Sequence, residues 1–226
     1  MSFEIEQGEF VAIVGESGSG KSTLLSMMGA LNTPTKGRYV VDDMDIYSLG
    51  LDQRAKFRMA FLGFIFQSFH LIPYLTVKEN VMLPLAIAKI KNHEKSDMAR
   101  DALMHVGLSG KEDRLPGEIS GGEQERVAIA RAVVNNPTIL LADEPTGNLD
   151  TRTSREIIGL FHALNGEGIT ILMVTHNAEF SREAHRTLCV SDGLIREQER
   201  PRNVVEYPFE LKAGVDQYPA ENVAVQ

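Results

Sequence analysis

Two rhythms of apolar residues run along the chain. The runs "EFVAIV", "FLGFIF", "TILLA" and "ITILMVT" are nearly continuous. They predict strands buried on both faces, where no polar alternation is needed. Between them the spacing becomes helical. Leu24, Met27, Met28 and Leu31 follow i, i+3, i+4, i+7 and predict a helix stopped by "NTPTKG". Ala99, Ala102, Leu103 and Val106 in "SDMARDALMHVG", and Ile157, Leu160, Phe161 and Leu164 in "REIIGLFHALNGEG", repeat that stripe. "LDQRAKFRM" predicts a short polar helix. "RYVVDDMDI" and "TLCVSDGLIRE" predict hairpins, the second turning at Asp192–Gly193. Thr76 and Glu79 have capping-box spacing at the start of "TVKENVMLPLAIAKI", a helix that Pro84 should kink or shorten. "ISGGEQERVAIARAVVNNP" opens on glycines and continues as a further helix.

Strand–helix alternation implies an α/β fold: a mostly parallel sheet covered on both faces, with a small antiparallel β part and an inserted helical stretch at about 69–137. One domain is expected over 1–197. Residues 198–226 carry no periodic stripe and are expected to form a loosely ordered tail. The 226 residues, 43% hydrophobic, suffice for a sizeable core. A net charge of −8 without a basic block argues against nucleic acid as a partner. No run approaches the ~20 apolar residues of a membrane helix, so no direct membrane insertion is expected. The lone cysteine, Cys189, sits in the apolar "TLCV" and reads as a small buried side chain; it fits a reducing cytosol.

"GESGSGKST" is unsuited to a core. Gly15, Gly20, Lys21 and Ser22 match G-x-x-x-x-G-K-[ST], placed between an apolar strand and an amphipathic helix. The glycines let successive N–H groups converge on one anion, and the helix N-terminus adds its dipole. Ser17, Gly18, Ser19 and Thr23 belong to the same phosphate cradle. Lys21 can reach the β- and γ-phosphates, and Ser22 can ligate Mg²⁺. This is the signature of a P-loop NTPase core, which takes a nucleoside triphosphate with Mg²⁺; the motif alone does not say for what. In "TILLADEP" a buried strand delivers Asp143 and Glu144 at its end. Asp143 is placed to hold the metal and Glu144 to act as general base on the attacking water. In "ISGGEQER", Ser120 and Glu123 read as an ordinary capping box. Gly121 and Gly122 weaken a first turn by around 1 kcal/mol each, which a capping box does not explain. A second anion site there suggests that two copies sandwich the nucleotide.

With these residues in order, the chain resembles the nucleotide-binding subunit of ABC transporters. The resemblance rests on "GESGSGKS", Gln67 after "FLGFIF", "ISGGEQER", "TILLADE", "GNLD" and His176 after "ITILMVT". It implies that Gln67 senses the γ-phosphate and Mg²⁺. It places Ser120, Gly121, Gly122 and Glu123 against ATP held by a second copy, and Asn148, Leu149 and Asp150 at that dimer interface. His176 would contact the γ-phosphate and position water; by itself it would more often be a structural histidine. The resemblance further implies integral-membrane permease partners and a cytoplasmic, peripheral membrane location. Within the family the chain is most similar to the lipoprotein-releasing and macrolide-export ATPases, with the cell-division ATPase close by. Phe69 and Tyr74 would meet a permease or pack within the helical stretch.

Two departures stand out. Glu123 replaces a common glutamine and adds charge beside the phosphates. Only fourteen residues precede Gly15, and "SFEIEQGE" corresponds to a later strand of the family pattern. The aromatic platform for adenine is therefore expected to be missing, as from a gene start placed too far downstream. The alternative function is an ATP-gated regulatory clamp on a cell-division or cell-wall partner. DNA-repair ATPases of the superfamily need a long coiled coil, and a small-molecule kinase has no use for "ISGGEQER".

Overall fold

A six-stranded sheet organises the fold in the computed structural model, which describes residues 2–191 and 193–199. The strands are β1 (Phe10–Val14), β2 (Val40–Val41), β3 (Met44–Asp45), β4 (Leu62–Ile65), β5 (Ile139–Asp143), β6 (Thr170–Val174), β7 (Arg186–Ser191) and β8 (Leu194–Glu199). The helices are α1 (Lys21–Met28), α2 (Leu51–Phe61), α3 (Val77–Met82), α4 (Asn92–His105), α5 (Gly121–Val133) and α6 (Thr151–Gly166). The large sheet has the order β4-β5-β6-β1-β7-β8. Its pairings are parallel except for the β7–β8 hairpin. β2 and β3 form the separate predicted hairpin. Asp42 and Asp43 turn it at φ 46° and 63°, the left-handed pair that suits tight hairpins.

The apolar runs supply both faces at once. Phe10, Ala12, Leu140, Ala142, Ile171 and Met173 join the core with Ile129 of α5 and Phe161 of α6. The alternate residues Val11, Ile13, Leu141, Leu172 and Val174 pack with Leu24 and Leu25 of α1 and with Phe57 of α2. Period-two alternation of a doubly covered sheet sorts them. The chain between β4 and β5 holds α3, α4 and α5, which pack on one another.

Several expectations need correction. α1 ends at Met28, so Leu31 lies beyond it and is 49% exposed; Leu25, off the expected stripe, is buried instead. By contrast, the helix over "TVKENVMLPLAIAKI" is shortened as Pro84 predicts: it stops at Met82 and tightens into a 3-10 turn at Leu83–Leu85, because Pro84 cannot donate to the ladder. Residues 2–9 hold no strand. Glu9 N–H donates to the Glu6 carbonyl and Gly8 takes φ 75°, which curls the segment into a turn. Cys189 is half-buried rather than fully buried. β8 runs to Glu199, past the expected tail boundary, while Asp192 and residues 200–226 lie outside the described residues.

Candidate functional site

Parallel strands put their carboxyl ends on one edge, and the candidate residues follow those ends. Gly15 comes after β1, Gln67 after β4, Asp143 and Glu144 at the end of β5, and His176 after β6. This edge is where open α/β sheets bind ligands.

Gly20 caps α1 at φ 100°, ψ 10°, a left-handed conformation that a side chain would strain. It hands the chain from loop to helix with its N–H groups forward. Lys21 folds back over the loop, its Nζ donating to the carbonyls of Gly15 (2.9 Å) and Glu16 (2.7 Å). Ser17, Gly18 and Thr23 are exposed along this loop and the first turn of α1. Ser19 Oγ is buried with no hydrogen-bond partner among the described residues and lies 2.8 Å from where a Cβ on Gly15 would sit. An orphaned hydroxyl in a curled loop is a donor waiting for an acceptor.

Ser22 Oγ donates to Asp143 Oδ1 at 3.2 Å. Desolvation pushes the Asp143 carboxyl up and the neighbouring Glu144 charge adds to that, while Ser22 and Lys21 oppose it. A hydroxyl beside a half-buried carboxylate is a hard-oxygen pair that fits Mg²⁺, which keeps most of its waters. Among the described residues no cluster of three or more His, Cys, Asp or Glu could hold a metal, in keeping with so sparse a donor set.

Glu144 stands at φ 51°, strained for a non-glycine residue, and its N–H donates to the Val174 carbonyl of β6. Its Oε2 lies 2.8 Å from His176 Nδ1 and 3.3 Å from the His176 backbone N–H. The Glu144 side chain is 11% exposed and that of His176 70%. One carboxylate oxygen is thus fixed by the histidine, leaving Oε1 for another donor. Gln67 closes the group from the side. Its carbonyl accepts from Asn148 Nδ2 (3.0 Å), and its amide reaches the turn at Gly147. No hydrogen bond joins Gln67 to Ser22 or Asp143 among the described residues.

The residues of "ISGGEQER" and "GNLD" form a second group. Ser120 caps α5 by accepting from Glu123 N–H, and Glu123 Oε2 accepts from Ser120 N–H at 2.8 Å, the expected capping box. A Cβ on Gly122 would sit 2.4 Å from Thr153 Cγ2, and one on Gly121 3.9 Å from Leu149 Cδ2. Gly122 therefore also lets α5 approach the start of α6, a reason the sequence did not offer, while a methyl on Gly121 would meet Leu149 at ordinary contact distance. Asp150 caps α6, accepting from Arg152 and Thr153 N–H and from Thr153 Oγ1. A cavity of about 160 Å³ lies beside Glu144 and His176, lined also by Gly147 and Leu149.

Two side chains here escaped sequence reasoning. Lys111 forms an ion pair with Glu123. Arg131 donates through both Nη atoms to the carbonyls of Phe69 and His70, each at 2.6 Å. Single basic residues carry no spacing signal, so nothing in the sequence could mark them. Tyr74 is 79% exposed and Phe69 half-buried, so the two aromatics do not share one environment.

A family model described as "ABC transporter" matches residues 1–147. The chain belongs to the ABC transporter family. It is an ATP-binding cassette of that family, and so an ATPase. It is 48% identical over 206 residues to the macrolide export ATP-binding/permease protein MacB of Rhodopirellula baltica, covering 89% of this chain and 30% of that protein. It is 46% identical over 200 residues to the ABC transporter ATP-binding protein YvrO of Bacillus subtilis, covering 88% and 87%. The cassette superimposes with TM-score 0.80 on the dimeric cassette MJ0796 in a post-hydrolysis state bound to ADP and Pi. That structure is 41% identical, and the match covers 87% of this chain and 88% of that one. No helix among the described residues is long and apolar enough to cross a membrane.

Proposed function

We propose that the cassette is the motor of an exporter: residues 1–197 bind and hydrolyse ATP and drive a membrane permease. The cargo is a lipoprotein to be released or a hydrophobic compound or peptide to be exported. The observation that carries the reading is the convergence of Lys21, Ser22, Asp143, Glu144 and His176 at the carboxyl ends of β1, β5 and β6. The names of the MacB relatives favour export within the wider family. The cassette then works at the cytoplasmic face of the membrane, held there by its permease.

In this reading Lys21 exchanges its loop carbonyls for the β- and γ-phosphates, with the N–H groups of the loop from Gly15 to Thr23 around them. Ser22, Gln67 and Asp143 would hold Mg²⁺, which when bound would offset phosphate charge. Glu144 takes the proton of the attacking water through Oε1, while His176 fixes Oε2 and so the direction of the free lone pairs. Ser120, Gly121, Gly122 and Glu123 close on the nucleotide of a second copy, and Asp150 lies at that boundary. Residues 69–137 form the helical subdomain facing the permease.

The test is Glu144→Gln cassette expressed in its native host, with membranes extracted in the presence and absence of Mg-ATP. The expected result is co-purification with a permease bearing a large extracytoplasmic domain, much stronger with ATP. Recovery of a cell-division or cell-wall regulator instead would replace the exporter reading with the clamp. Failure to bind ATP would overturn both.

A further inference from the structure

A carboxylate in the first turn of a helix suits the helix dipole but not a triphosphate arriving at the same end. Glu123 is such a group. The structure resolves the conflict with a residue from another segment. Lys111 Nζ pairs with Glu123 Oε1 while Glu123 Oε2 stays in the capping box with Ser120 N–H. The lysine and the Ser120 N–H together hold the Glu123 carboxyl below its ordinary range. The pair is neither loose nor sealed, with the Lys111 side chain 41% and the Glu123 side chain 26% exposed.

Lys111 is held in place by its own backbone. Its N–H donates to the Leu108 carbonyl, and its carbonyl accepts from Arg114 N–H. The following residues are tied to α3, whose Val77 and Lys78 N–H groups donate to the carbonyls of Arg114 and Glu112. Lys78 also pairs with Asp113 at 3.3 Å. The turn therefore presents Lys111 to the N-terminus of α5 before any ligand arrives.

We propose that Lys111 is a positioning residue for ATP-driven pairing of two cassettes: by neutralising Glu123 it keeps the Ser120–Gly122 end of α5 receptive to the triphosphate held by the second copy. The proposal rests on the reading that this helix end faces the second copy's nucleotide. It assigns the effect to the charge of Glu123, not to a direct contact of Lys111 with ATP.

The test uses the full chain with Glu144→Gln, so that bound ATP persists. Sedimentation velocity with and without Mg-ATP gives the dimer constant. ATP titration at high dilution gives the affinity of the single cassette, and melting gives stability. Lys111→Ala is expected to weaken the ATP-dependent dimer by about tenfold, the scale of one uncompensated surface charge. Single-cassette ATP affinity and melting stay as in the parent. Lys111→Arg restores dimerisation. Adding Glu123→Gln to Lys111→Ala also restores it, to within about twofold, because the charge to be neutralised is gone. A parent that stays monomeric in ATP overturns the functional reading and the inference with it. A parent that dimerises while Lys111→Ala does so equally well overturns the inference alone. So does a Lys111→Ala defect that Glu123→Gln leaves in place.

Discussion

Glu125 offers the sharpest test of the physical account. It lies on α5, is 1% exposed, and its Oε1 has no hydrogen-bond partner among the described residues. Burial pushes its carboxyl from 4.5 up to about 8, with Arg131 opposing. An unfolded glutamate loses its proton near its ordinary value. Between about pH 4.5 and 8 the folded chain therefore binds a proton that the unfolded chain has released, and stability falls as pH rises through that window. At pH 7 the linkage amounts to roughly 3 kcal/mol, and near pH 8 and above to roughly 5. Glutamine has nearly the shape of the protonated acid and no proton to lose. Glu125→Gln should exceed the parent in Tm by only about 2–3 °C at pH 5 but by about 6–12 °C at pH 7 for a chain of this length. The measurement is a set of thermal melts of parent and variant from pH 5 to 8. A difference that stays flat across this range would refute the reasoning, because it would mean that Glu125 keeps its charge inside the fold.

Two further substitutions probe α5 from its other contacts. Gly122→Ala drives a methyl into Thr153 Cγ2 at 2.4 Å, an overpacking expected to cost roughly 1–3 kcal/mol. Thr153→Ser, which removes that methyl and keeps the hydroxyl on Asp150, should recover most of the loss in a melting assay. Arg131→Met removes two charge-assisted bonds to carbonyls held at left-handed φ, 57° at Phe69 and 47° at His70. With water able to replace part of them, the loss should be roughly 2 kcal/mol, with faster proteolysis of the segment after Gln67. Unchanged cleavage and unchanged melting would show that the fork holds nothing.

What was legible in the sequence was what is local. The strands were readable because a doubly covered parallel strand must be apolar throughout, and β1, β4, β5 and β6 are. The places of the glycine loop after β1 and of the Asp143–Glu144 pair at the end of β5 were readable because each directly follows an apolar run. Helix ends failed where a single residue decided them. Pro84 was readable as a breaker and does shorten the helix, which ends at Met82 with Ile87 left exposed beyond it. Leu31 fitted a stripe whose helix had already ended.

Several contacts that the sequence hid converge on α5, and for one physical reason. A helix whose first turn reads "GGEQER" looks like a solvated surface. In the fold it is pinned on several sides: Gly122 against Thr153 of α6, Glu123 against Lys111, Arg126 on the Val106 carbonyl and Glu156, and Arg131 on the segment behind Gln67. These partners lie far off in sequence, so no window of neighbouring positions could reveal them, although Glu123 is also held locally by Ser120 N–H. Glu125 Oε1 is buried with no hydrogen bond among the described residues. A helix so tied cannot shift at its N-terminus without straining the Arg131 fork beyond its middle, since its 13 residues form one hydrogen-bonded rod about 20 Å long. The end of α5 that we assign to the second copy's nucleotide and the segment after Gln67 are therefore mechanically one piece.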